Sequence, residues 1–271
     1  MRRALLPILI LAFGEMEASD KRSLEDGVFV HYNTREKTLL HQGKLFRVVS
    51  EESGHLSKQP YASIGGDPFC REIISWDPYN APLLEEKYLE LRKIVIENAT
   101  CLEELLWLAC SFVKHEVFSH NPKKSEQEVD LFLQEWIFHS ERQRADFTLT
   151  WDGFLFAVIP LEDFVKMKRG VCRHLAPLLA YFIDKLQADE ELKALIPPGE
   201  TYIVRDEVTV GQRTGHHAWN LYLSSDGEEA WHIDPTWELL KNIYTETPEL
   251  TAKYGKEVIE REKERFSLSR I

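Results

Sequence analysis

Between Val171 and Leu186 the residues Leu175, Leu178, Leu179, Phe182 and Leu186 recur at helical spacing and form one continuous apolar stripe. A helix with such a stripe must be covered along one side, so the chain needs a second layer packed against it. Pro177 falls in the second turn, where a kink is expected. Gly170 stands just ahead of the stripe, which puts Cys172 in the first turn of the helix. Unpaired backbone N–H groups and the helix dipole stabilise a thiolate there. Lys166, Lys168, Arg169 and Arg173 add positive charge nearby. A lone cysteine is more often a buried structural thiol, so position alone does not make Cys172 reactive.

A second constraint lies downstream. His217 to Leu223 and Ala230 to Asp234 read as short strands flanking Ser224-Ser225-Asp226-Gly227, a hairpin signal. A two- or four-residue loop centred on Asp226-Gly227 sets Trp219 opposite Asp234 and His217 opposite Thr236. Alternate strand residues share a face, so His217, Trp219, His232 and Asp234 point the same way. His217 and Asp234 then become diagonal neighbours about 7–8 Å apart at the backbone. A three-residue loop would put them on opposite faces, and the Asp-Gly pair favours the even loop.

Cysteine, histidine and aspartate together define a familiar chemistry. The His217 imidazole takes the thiol proton of Cys172 and later returns it to a leaving amine. Asp234 fixes the imidazole tautomer and stabilises the imidazolium. The resulting oxyanion needs donors, of which the Cys172 N–H is one; Trp151 and Asn220 are the candidates for the other. His232 shares the face of Asp234 as a rival base, His216 points to the opposite face, and His174 lies about 200° around the helix from Cys172. Cys172, His217, His232 and Asp234 are metal-ligand types, but their spacing matches no closed zinc pattern. No metal or cofactor is expected.

The rest of the chain divides by pattern. Residues 19–82 look irregular with short strands at Val28-Phe29-Val30 and Leu45 to Val49, and the proline-bearing stretch from Lys58 to Pro82 reads as a loop or linker. Three helices follow: Leu83 to Asn98 with Leu84, Tyr88, Leu91 and Val95 inward; Leu102 to His115; and Ser125 to Ser140, opening on a capping-box pattern. Thr201 to Val210 reads as a strand. Residues 243–271 read as a charged surface helix with Gly255 as its weak point.

Three blocks carry a resemblance: Arg169-Gly170-Val171-Cys172-Arg173, His217-Ala218-Trp219-Asn220, and His232-Ile233-Asp234-Pro235-Thr236-Trp237. In order and spacing they resemble the transglutaminase-like superfamily, over roughly residues 85–240. The resemblance implies an α+β, papain-like transglutaminase core over 83–242, with the cysteine at the N-terminus of a helix packed on an antiparallel β-sheet. It implies a Cys172–His217–Asp234 triad acting through a thioester on peptide or protein amides, as a peptidase, deamidase or transglutaminase. Hydrolysis is favoured, since water is always at hand. The alternative is a non-catalytic protein-binding module that retains the fold.

A net charge of −12 argues against a nucleic-acid partner. Four cysteines among 271 residues are too few for a disulfide scaffold. Arg2-Arg3 and the apolar run Ala4 to Phe13 resemble a secretory signal over residues 1–18, too short to span a membrane. Pro7, Glu15 and Glu17 speak for a buried N-terminal element instead. Export follows from the first reading and a cytoplasmic location from the second.

Overall fold

The computed structural model describes residues 32–33, 38–41, 43–49, 52–53, 60–64, 72–121, 124–138, 147–149, 155–210 and 213–268. The signal-like segment 1–18, the strand expected at residues 28–30, Cys70 and Trp151 lie outside the described residues.

The N-terminal part is built of strands β1 (Tyr32–Asn33), β2 (Thr38–His41), β3 (Lys44–Val49), β4 (Glu52–Ser53), β5 (Tyr61–Ile64) and β6 (Ile73–Trp76). Helices α1 (Pro82–Asn98) and α2 (Leu102–Ser111) follow, then a π-helical turn (Phe112–Val117) and α3 (Ser125–Phe138). Next come β7 (Phe147–Leu149), β8 (Leu155–Pro160), α4 (Leu161–Lys166) and the long α5 (Cys172–Ala188). The chain continues through β9 (Gly199–Val210), β10 (Arg213–Ser224), β11 (Ala230–Asp234) and β12 (Leu239–Asn242) to α6 (Thr247–Tyr254) and α7 (Lys256–Leu268). The architecture is mixed α+β, the class that the resemblance implied.

Two sheets organise it. One has seven strands in the order β1-β2-β3-β5-β6-β8-β7, with β3–β5 and β6–β8 parallel. The stretch expected to be a loop from Lys58 to Pro82 therefore supplies two of its inner strands. Tyr61, Ala62, Ile73, Ile74 and Trp76 are all buried there. These strands are too short to display an alternation in the sequence, and Pro60 and Pro78 flank them, Pro60 offering only its carbonyl, which accepts the Arg47 N–H at 2.9 Å. The second sheet has five strands, β12-β11-β10-β9-β4, antiparallel throughout. Because β4 joins its edge, the N-terminal segment is knitted into the layer that carries the candidate residues.

Helix α5 covers one face of the five-stranded sheet. Its stripe residues Leu175, Leu178, Leu179, Phe182 and Leu186 share a core with Ile203, Ala218, Tyr222 and Ile233. The helix runs on through Pro177. Alternate residues of the same strands, Val204, Val208, Trp219 and Leu221, face the other way and pack against Leu250, Tyr254, Val258 and Ile259 of α6 and α7. The tail is thus two helices broken at Gly255, whose φ of +92° suits glycine, and one side of it is buried rather than surface. Each fully buried aliphatic side chain on that side contributes about 1.5–3 kcal/mol.

The helix expected over Leu102 to His115 changes pitch. After Ser111 the backbone widens into the π-helical turn, closed by Phe118 N–H on the Val113 carbonyl at 3.1 Å. Such turns often mark functional sites. At α3 the expected capping box is replaced: the Ser125 hydroxyl accepts the Asn121 N–H at 2.8 Å. Among the described residues no helix is long and apolar enough to cross a membrane.

Candidate active site

Cys172 is the first residue of α5 and is half-buried. The approach to it is tight. A Cβ on Gly170 would lie 2.6 Å from Phe118 Cδ1, so only glycine lets the chain enter the helix along this path. Within the first turn the Val171 N–H donates to His174 Nδ1 at 3.2 Å, which holds that imidazole neutral. Burial, then the neighbouring Arg173 charge, likewise lowers the His174 pKa to about 4, against the pull of Glu72.

The hairpin register is the even one. Asn220 pairs with Ile233, Leu221 with His232, Tyr222 with Trp231 and Leu223 with Ala230. Continued by one step, that register puts Trp219 opposite Asp234 and makes His217 the diagonal neighbour of Asp234. The side chains close the distance: His217 Nε2 lies 2.6 Å from Asp234 Oδ2. Since Nε2 donates to a carboxylate, the other ring nitrogen remains for Cys172, with which His217 shares a hydrogen bond and a charge interaction. The Ala218 N–H is a further donor to Cys172.

Electrostatics favour an ion pair. Burial opposes the Cys172 thiolate, but the His217 imidazole, the Arg173 charge and the Ala218 N–H outweigh it and hold the thiol below its ordinary value. Burial likewise opposes the His217 imidazolium, yet Asp234, by charge and hydrogen bond, and then Cys172 raise its pKa well above the usual imidazole value. Asp234 is fully buried and would by itself resist ionisation. The charge and hydrogen bond of His217 and a hydrogen bond from Tyr254 keep its carboxylate below the ordinary range. Its Oδ1 accepts the N–H groups of Thr236 and Trp237, at 2.8 and 3.1 Å, and its Oδ2 accepts the Tyr254 hydroxyl at 2.6 Å.

Trp237 forms the roof. Its indole stacks on the His217 imidazole with centroids 3.9 Å apart, and Lys253 Nζ lies 4.9 Å from the indole centroid. The next residue, Glu238, adopts a left-handed backbone (φ 50°), a conformation that costs a non-glycine residue about 1–2 kcal/mol. Lys114, at 2.9 Å, and His115 from the π-helical turn both grip its carboxylate. The π-helical turn thus fixes the chain immediately after Trp237.

Other expected residues sit elsewhere. The Asn220 amide is fully buried, and its nitrogen donates to the carbonyls of Ala176 and Tyr202, at 2.9 and 3.4 Å. It ties α5 to the sheet one turn beyond Cys172, and its N–H groups are committed to that tie. His232, also fully buried, has Nδ1 3.2 Å from Glu262 Oε2, while Glu262 Oε1 accepts the Trp219 indole N–H at 2.7 Å. His216 is exposed. His174 faces inward, 3.1 Å from Glu72 Oε1, and Arg173 Nε bonds the same oxygen at 2.7 Å. Glu72 anchors the start of α5 from the β6 side. Sequence reasoning missed both Glu72 and Tyr254, which stand among charged neighbours, Arg71 and Lys253, and carry no local signal of burial.

The assembled groups bring together a thiol held below its ordinary pKa, an imidazole that shares a hydrogen bond with it, and a buried carboxylate bonded to that imidazole. No family model matches this chain, and no curated protein or solved structure matches it either.

Proposed function

We propose that this chain is a cysteine-dependent acyl-transfer enzyme of the transglutaminase-like, papain-like class, acting on peptide or protein amides. The observation that carries the reading is the continuous Cys172–His217–Asp234 array, with the thiol at a helix start and the imidazole locked to a buried carboxylate. In this reading the thiolate attacks the amide carbonyl carbon, and the oxyanion gathers near the Cys172 N–H. Collapse breaks the C–N bond as the His217 imidazolium protonates the departing amine. The thioester is then cleaved by water, whose proton returns to His217, so peptidase action is the favoured outcome. An amine in place of water gives cross-linking by the same steps.

The test is alkylation of each cysteine against pH, read by mass spectrometry, in the intact protein and in His217→Ala. Cys172 should outpace the exposed Cys101 below pH 7 and slow sharply in the variant. Cys110 should stay silent in the folded protein, because burial, then Asp234 and Glu238, push its thiol up. A Cys172 indifferent to loss of His217 would sink the enzyme reading and leave a binding module on the same fold. Peptide cleavage against amine incorporation, in the active protein, then separates hydrolysis from transfer.

A further inference from the structure

We infer that the Tyr254 hydroxyl is a positioning group for the His217–Asp234 pair, and that α6 is thereby part of the reactive site. This rests on the triad reading above. A carboxylate offers about four lone-pair positions, and Asp234 fills them with four donors. Two are backbone N–H groups on Oδ1, which fix the carboxylate from the strand end. The other two meet on Oδ2: His217 Nε2 and the Tyr254 hydroxyl, each at 2.6 Å. The two groups share one oxygen, so each draws on charge that the other would otherwise hold.

Packing does not account for that hydroxyl. The Tyr254 ring lies among Trp219, His232 and Trp237, with centroids 5.1, 4.3 and 5.2 Å away. Phenylalanine would meet those contacts equally well. A hydroxyl buried among aromatic rings is costly unless bonded, and this one is bonded to the carboxylate that orients the imidazole. Burial and then the Asp234 charge push the Tyr254 ionisation far up, so the group stays a donor throughout the working pH range.

The effect has a direction. By taking part of the Asp234 charge, Tyr254 loosens the hold on the His217 proton, so the imidazolium can release it to a leaving amine. Without the hydroxyl, Asp234 leans wholly on His217. The imidazolium then persists to higher pH, and proton return slows.

The experiment follows His217 directly, by NMR of histidine-labelled protein, with its resonance assigned by its absence in His217→Ala. Cys172 alkylation is measured in parallel. In Tyr254→Phe the His217 midpoint should rise by about one pH unit, while the Cys172 alkylation midpoint, set with His217 already protonated, should stay in place. A second variant carries 2,3-difluorotyrosine at position 254, a stronger donor on the same ring, and should move the His217 midpoint down. Opposite shifts from the two variants support the inference, since a merely structural role moves both in one direction. His217 midpoints within about 0.2 unit of the parent in either folded variant overturn it. A parent protein in which Cys172 shows no dependence on His217 overturns the triad reading itself, and is told apart because it is read without any change at Tyr254.

Discussion

The Trp237 indole lies flat on the His217 imidazole, the two planes only 17° apart. The ring keeps water from one face of the imidazole and offers its electron-rich surface to the imidazolium, a contact that favours the charged form. Lys253 Nζ lies over the indole, and the ion pair of Lys114 with Glu238 fixes the residue that follows it. Trp237→Ala should therefore lower the pH at which His217 loses its proton by up to about one unit. Trp237→Phe should move it less. An NMR titration of His217 unchanged in Trp237→Ala would show that the stack is packing alone.

Gly170 and Phe118 form a contact that tolerates no methyl group, since a Cβ would come within 2.6 Å of Phe118 Cδ1 and 3.0 Å of Leu175 Cδ1. Both neighbours are buried and packed. Gly170→Ala should destabilise the fold by about 1–3 kcal/mol, as overpacking does. It should also slow Cys172 alkylation, because the strain falls two residues from the thiol. Adding Phe118→Leu should recover part of both losses. Urea melts of the three variants measure the coupling, and strictly additive effects would refute the contact.

His174 and His217 tilt stability in opposite directions with pH. The folded chain refuses a proton at His174 down to about pH 4, whereas the unfolded chain accepts it near 6.5. That contribution is complete above pH 6.5 and is lost as pH falls from there toward 4. At His217 the fold holds the proton above the ordinary value, so its contribution is complete below about 6.5 and is lost as pH rises through the raised pKa. Cys172→Ser removes the thiol titration that would mask this. In that background, urea midpoints should form a dome, with His174→Asn flattening the acid side and His217→Ala the alkaline side. Sides that keep their slopes in these variants would contradict the assignment.

Much of this architecture is legible in the chain because it repeats with a short period. The α5 stripe announces a covered helix, and its first turn locates Cys172. Strand alternation and an even loop align His217 with Asp234, as the observed register does. The inward residues Leu84, Tyr88, Leu91 and Val95 of α1 are buried as their spacing implies. The proline-flanked strands β5 and β6 read as loop because four residues cannot establish an alternation. The tail reads as a surface helix because its charge masks the narrow apolar side of Leu250, Tyr254, Val258 and Ile259.

The sequence by itself determined which residues share a helix face or a strand face, since those relations follow from backbone geometry over a few residues. Only the tertiary structure decided who meets them from afar: Tyr254 on Asp234, Glu238 in the grip of Lys114 and His115, Glu72 beneath Arg173, Phe118 against Gly170. These partners lie tens to more than a hundred residues apart in the chain and are joined by the course of the whole fold. No local period encodes such a meeting, because it arises from packing the two faces of one sheet against different helices.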